Sequence, residues 1–326
     1  MKNAENIFVE PRKDRDGRFP ISEDDLSKTP YNTVVRFKAD RGMCSGTMIS
    51  ERHVLTAAHC IHNGRDYLYP DGRLRIGIHK KSLPSRRKSK RNSKNRRRSR
   101  RAASSRSRRK TKKSRRKRNK NFKRSKTSNL QSRKSFKWVK LSQMHLPSGW
   151  TNPKPDRLNY EHDYAVITLA KPLVTSFMNI TIAPEKIHPF HIRYPKGIRL
   201  FMNAYDIEPR DKMAVRWCPL IGRTNDLLWS ECDSDKGGDG GGIYMKHKSA
   251  YGSGTRYKKS KVITSLIGVN TGWTDIHEDR RLGAAVRITP PKYVTICTWI
   301  TDGDIEKCKK MMDEQLHSRP YYKDEN

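Results

Sequence analysis

A histidine beside a cysteine, an aspartate that opens an apolar run and a block of glycines are the parts of this chain whose residue types could do chemistry. The first lies in Val54-Leu55-Thr56-Ala57-Ala58-His59-Cys60, where an apolar strand meets a turn of small residues. Ala57 and Ala58 let the backbone pack closely, so the imidazole of His59 can project from a fixed point. The second is Asp163, at the head of Asp163-Tyr164-Ala165-Val166-Ile167-Thr168-Leu169. The third is Gly237-Gly238-Asp239-Gly240-Gly241-Gly242, downstream of Cys232. Nucleophilic acyl transfer needs a base, a group that orients the base, and a nucleophile on a tight turn with backbone donors beside it. His59 is the candidate base and Asp163 the candidate orienter, and the glycine turn is where the nucleophile belongs.

Six cysteines fall into three local pairs, Cys44/Cys60, Cys218/Cys232 and Cys297/Cys308. Six cysteines allow fifteen connectivities, and nearest-neighbour pairing is the expected one. An even count without a Cys-x-x-Cys doublet favours disulfides over zinc, so neither a metal nor another cofactor is expected. Cys44–Cys60 would fasten the His59 loop. Disulfides together with the acceptor sequence Asn179-Ile180-Thr181 point to a secreted, glycosylated protein. No run of 18 apolar residues is present, so no membrane span is expected. Met1 leads into polar residues rather than a signal peptide, which conflicts with secretion and suggests that the natural N-terminus is missing or removed.

The elements that must position these residues are short β runs separated by turns: Thr33–Phe37, Ser45–Ser50, His53–Leu55, Arg73–His79, Phe136–Leu146 and the Asp163 strand. The second half repeats the rhythm at 198–205, 213–222, 242–246, 262–269 and 284–288. The fold class is all-β, a barrel or sandwich. Helices are expected only near the C-terminus, at Pro291–Ile300 and about Asp304–Leu316. Residues 1–30 read as an extended lead-in or pro-segment remnant, 31–300 as the main domain, and 301–326 as a C-terminal helix and tail.

Thr56-Ala57-Ala58-His59-Cys60, Asp163-Tyr164-Ala165-Val166 and the glycine turn, in that order, resemble the trypsin/chymotrypsin clan of serine proteases. Val54–Asn63, the Cys218/Cys232 pair and Ala284–Ile288 followed by Lys292–Ile300 look closer still to its secreted branch of serine protease 23 and inactive serine protease 35. The resemblance implies two six-stranded antiparallel β-barrels with a closing C-terminal helix, and an oxyanion site at the backbone of Gly237 and Asp239. It also implies a Ser in the glycine turn, and there is none. One register puts Asp239 at the nucleophile position and keeps Ile243-Tyr244 entering the next strand; an alternative register puts Gly240 there. Gly has no attacking atom. A carboxylate is a weak nucleophile towards an amide, and its charge would occupy the oxyanion site. Loss of the nucleophile typically costs around 10⁶ in turnover. The expectation is a vestigial site and no protease activity. If Asp239 faces His59, two carboxylates flank the imidazole and should keep it protonated above neutral pH. The alternative of an active endopeptidase with a non-standard nucleophile falls on Ser234, five residues before Asp239 and off the turn.

Residues 80–138 hold 30 Lys or Arg and no Asp or Glu, so this stretch supplies 30 of the 38 net positive charges. With few apolar side chains it is expected to be a long disordered basic insertion, one hairpin loop between two strands. Arg96, Arg97, Arg98, Arg100, Arg101, Arg115, Arg116, Lys117 and Arg118 are the candidate polyanion-binding residues. Almost no aromatic platform for bases is present, which argues for sequence-blind electrostatics. In a secreted protein the partner would be a sulfated glycosaminoglycan or matrix polyanion. The alternative is a nucleic-acid-binding protein acting through the same insert. Leu266–Trp273, the wall of the vestigial cleft, could still take a peptide or protein ligand by strand addition.

Overall fold

The computed structural model describes residues 17–38, 43–70, 72–83, 135–152, 159–173, 176–184, 199–206, 212–232, 237–249, 261–277 and 280–317. Apart from Ser135 these belong to one compact unit. Among them twelve antiparallel strands build two closed barrels, and a thirteenth adds to the edge of the second.

The first barrel runs in the order β2-β3-β4-β7-β6-β5. Its strands are β2 (Val34–Lys38), β3 (Ser45–Met48), β4 (His53–Thr56), β5 (Arg75–His79), β6 (Phe136–His145) and β7 (Ala165–Leu169). Pairing of Val35 with Ile78 closes it. The apolar run of β7 is buried at Ala165, Val166, Ile167 and Leu169, with only Thr168 partly exposed. Its register against β4 sets Thr56 opposite Ala165. His59 follows Thr56 by three residues and Asp163 precedes Ala165 by two, so one antiparallel pair delivers both to the same barrel end.

The second barrel comprises β8 (Arg199–Tyr205), β9 (Met213–Arg223), β10 (Leu227–Ser230), β13 (Arg280–Arg287), β12 (Lys261–His277) and β11 (Gly242–Ser249), closed by β8–β9 pairing. Strand β11 begins at Gly242, which pairs with Val269 on one side and Asn203 on the other. The glycine turn therefore lies at the end of β11. The two-residue β1 (Phe19–Pro20) adds to β9, Phe19 opposite Val215.

Several boundaries depart from the sequence reading. Strand β12 runs to His277 rather than ending at Val269, and β13 starts at Arg280 rather than Ala284. Pairing between them carries Gly272 and Asp275, residue types with little β preference of their own. Strand β10 was not anticipated, because four residues hold too little alternation. The stretch from Gly17 is not merely an extended lead-in: besides β1 it buries Leu26, which packs with Val34, Phe136, Tyr205 and Met213. The basic insertion also ends earlier than 138, since Phe136 already pairs with His79. That pairing makes the intervening stretch a connection between neighbouring strands. Its positions 84–134, with every candidate polyanion-binding residue, lie outside the described residues.

Helix α1 (Pro290–Ile300) carries a Pro in its first turn and packs Tyr293, Ile296 and Cys297 into the main apolar cluster with Tyr164 and Ile61. Helix α2 (Ile305–His317) follows. The three disulfides are Cys44–Cys60, Cys218–Cys232 and Cys297–Cys308, with Cα separations of 6.1, 5.1 and 5.7 Å. Loops of this length give about 3 kcal/mol each in the chain-entropy account.

Candidate active site

After β4 the chain tightens into a 3₁₀ turn over Ala58–Cys60. Ala57 and Ala58 are fully buried, leaving no room for larger side chains, and Cys60 is tied back to Cys44. Asp163 is almost fully buried and holds His59 twice. Its Oδ1 accepts the His59 backbone N–H at 2.8 Å, and its Oδ2 lies 2.7 Å from Nδ1. A buried carboxylate so placed fixes both the loop and the ring orientation.

The glycine turn is pinned from both barrels. The Ser45 N–H donates to the Asp239 carbonyl at 2.8 Å, and Ser45 Oγ donates to the Gly237 carbonyl at 2.7 Å. The same hydroxyl accepts the Tyr205 N–H at 2.8 Å. From the second barrel, the Gly240 N–H donates to the Asn270 carbonyl at 2.8 Å. Gly237 and Gly240 have φ of 103° and 79°, in the left-handed region. A Cβ on Gly240 would collide with Thr56 Oγ1 and the Ser45 carbonyl. No side chain fits there, and Asp239 is the turn residue that faces His59.

Asp239 Oδ2 lies 3.6 Å from His59 Nε2, and its Oδ1 lies 3.4 Å from Asn270 Nδ2. The imidazole thus stands between two carboxylates. Burial acts most strongly and pulls the imidazolium down. The hydrogen bond to Asp163 and the negative charges of Asp163 and Asp239 together outweigh it, and the His59 pKa is raised to about 10. The His59 and Asp239 side chains remain 34% and 29% exposed, so the pair opens onto solvent. Among the described residues the Gly237 and Asp239 N–H groups donate to no acceptor.

Cys44, His59 and Cys60 also lie close enough together to suggest a metal cluster. Both sulfurs are consumed by the disulfide, so neither can supply a thiolate. Leu266–Trp273 lies within β12, where Asn270 contacts the turn through both its backbone and its amide. Ser234 lies outside the described residues. Asn179 is exposed on the surface, with Thr181 buried two residues on. Sequence reasoning gave no role to Ser45 or to the Asn270 amide. Ser45 acts across the barrel junction and Asn270 between β12 and the turn that leads into β11, so only tertiary contact identifies them.

This geometry has relatives. A family model described as Trypsin matches residues 21–170. Mouse inactive serine protease 35 is 32% identical over 314 residues, which cover 94% of this chain and 73% of that protein. The human protein of the same name is 37% identical over 298 residues, 89% of this chain and 68% of its own. Bovine serine protease 23 is 29% identical over 299 residues, 90% of this chain and 66% of that protein. Among solved structures, a Glu endopeptidase in complex with MPD superposes with a TM-score of 0.53 at 12% identity, covering 88% of this chain and 97% of that one. At that identity the likeness speaks for the fold alone.

Proposed function

This chain belongs to the trypsin family, in company with serine protease 23 and inactive serine protease 35, and from that premise we propose that it is a protease homologue that does not cleave peptides and acts by binding. The observation that carries this reading is Asp239, a carboxylate in the turn opposite His59 where acyl transfer needs a hydroxyl or thiol. Attack on an amide by Asp239 would form an anhydride, which expels the carboxylate more readily than the amine. The charge also stands beside the N–H donors that would otherwise stabilise an oxyanion.

The binding function rests on the polybasic insertion. Thirty cations in residues 80–138 release counterions on meeting a polyanion, which gives affinity that falls steeply with salt. Three disulfides favour an oxidising compartment, so the partner we propose is a sulfated glycosaminoglycan outside the cell, and Asn179 is its glycosylation site. Among the described residues no helix is long and apolar enough to cross a membrane.

Two measurements test the reading. A fluorophosphonate probe should leave the chain unlabelled; a His59-dependent adduct, at Ser234 or elsewhere, would overturn the inactive assignment. Heparin-column elution should require high salt and fall sharply when residues 85–134 are replaced by a short Gly/Ser linker. Retention equal to that of the shortened chain, or a strong preference for nucleic acid over heparin, would count against the glycosaminoglycan.

A further inference from the structure

A carboxylate is a poor nucleophile for amides, but the reason lies in the product, and at saturated carbon the product is different. Attack on a carbonyl gives an anhydride that reverts, whereas attack on an sp³ carbon gives an alkyl ester that persists until water reaches it. Asp239, His59, Asp163 and Asn270 hold the groups needed for both halves of such a reaction. We propose that this cleft is a hydrolytic site for small epoxides, with Asp239 as nucleophile and His59 as acid and then base. This goes beyond the binding role and does not depend on it.

The two oxygens of Asp239 have different surroundings, and each suits one task. Oδ2 faces His59 Nε2 at 3.6 Å, too long for a strong hydrogen bond, which leaves it able to reach an electrophile. Oδ1 faces the Asn270 amide nitrogen at 3.4 Å. Gly272 flanks Oδ1 without a side chain, and a Cβ there would sit 3.3 Å from it.

In the first step an Oδ2 electron pair forms a bond to a ring carbon of the epoxide. The ring C–O bond breaks, its electrons pass to the ring oxygen, and that oxygen takes the proton from His59 Nε2. A 2-hydroxyalkyl ester of Asp239 and a neutral imidazole result, with Asp163 still on Nδ1. In the second step Nε2 removes a proton from water while the water oxygen bonds to Asp239 Cγ. Negative charge collects on Oδ1, where the Asn270 N–H donates. Collapse breaks the bond between Cγ and the diol oxygen, and that oxygen takes the proton back from Nε2. The carboxylic acid left on Asp239 then returns its proton to His59. The net change is epoxide plus water to diol, with no other reactant. A His59 that holds its proton at neutral pH begins the cycle in the form the first step uses.

The test uses the full chain with 1,2-epoxy-3-(4-nitrophenoxy)propane near neutral pH, following the diol by its nitrophenyl absorbance after chromatography. Diol should form above the buffer rate, and Asp239→Ala should reduce the excess by about 10² or more. A single turnover in ¹⁸O-water should place the heavy oxygen in Asp239 itself, as read by peptide mass spectrometry. His59→Gln removes the acid of the first step and the base of the second, so it should abolish the excess diol, and any ester that does form should stay as one probe mass on the peptide containing Asp239; if that variant misfolds by circular dichroism, the isotope result in the unaltered chain decides. Equal diol formation in Asp239→Ala, an unlabelled Asp239, or an adduct that accumulates on the unaltered chain without turnover would each overturn the proposal.

Discussion

Asp239 Oδ2 stands 3.6 Å from His59 Nε2, on the opposite side of the ring from Asp163 Oδ2 at 2.7 Å from Nδ1. The ring is enclosed by negative charge at both nitrogens, a state that favours imidazolium over imidazole.

The first prediction follows from that enclosure. Burial opposes the charged ring, the two carboxylates more than offset it, and the His59 pKa is raised to about 10. NMR of the imidazole should show it protonated through neutral pH, and Asp239→Asn should lower the titration midpoint. The unfolded chain has a His pKa near 6.5. The folded value is higher, so the stabilisation is fully present below about pH 6.5 and is lost as pH rises towards 10. The denaturation midpoint of the unaltered chain should therefore fall across that window more than the midpoint of Asp239→Asn. A normal or lowered midpoint for His59 would remove the premise.

Asp239→Ser should gain reactivity. The His59–Asp163 pair is already formed, and the turn is already pinned by Ser45 and Asn270, so a hydroxyl at 239 would meet a base on a preformed turn. Nucleophile loss typically costs around 10⁶ in turnover, so even a small recovery is measurable. The expected outcome is fluorophosphonate labelling of Asp239→Ser that disappears in Asp239→Ser/His59→Ala. No labelling of the single variant would mean that the turn, not only the side chain, departs from a working geometry.

How much of this could be read from the sequence differs by residue. Val54–Cys60 and Ala165–Leu169 announce themselves because a small-residue turn and an apolar strand are local patterns. The β4–β7 register then brings His59 and Asp163 together without further help. Choosing Asp239 over Gly240 could not be settled locally, since both lie in one glycine block. It depends on Thr56 and Ser45, which come from the other barrel and exclude a Cβ at 240. The long β12–β13 pairing and the short β10 were missed because partner strands, not their own residue preferences, hold them in place.

Gly240→Ala tests that exclusion. With φ of 79° an alanine is strained in its backbone, and its Cβ would press on Thr56 Oγ1 and the Ser45 carbonyl. The left-handed conformation costs roughly 1–2 kcal/mol, and overpacking about 1–3 kcal/mol more. Thermal or urea unfolding should show a loss of about 2–5 kcal/mol. A neutral result would mean that the turn relaxes easily. Gly64→Ala is the comparison, since φ is 93° there but no atom lies within 4 Å of the added Cβ. It should show only the backbone part.

Ser45→Ala tests how the turn is held between the barrels. The hydroxyl donates to the Gly237 carbonyl at 2.7 Å and accepts the Tyr205 N–H at 2.8 Å, so one atom satisfies two backbone groups 192 and 160 residues away. Ser45 is fully buried, and removing the hydroxyl would leave both groups without their partner where water has little access. Each orphaned buried group costs about 1–3 kcal/mol, so the loss for the two should be roughly 2–6 kcal/mol. The Ser45 N–H to Asp239 carbonyl bond survives the substitution, because it is made by backbone. Amide exchange should separate the two contributions: faster at Tyr205 in the variant, little changed at Ser45. Slow exchange at Tyr205 in Ser45→Ala would mean that another acceptor or a water replaces the hydroxyl, and that the junction does not depend on it.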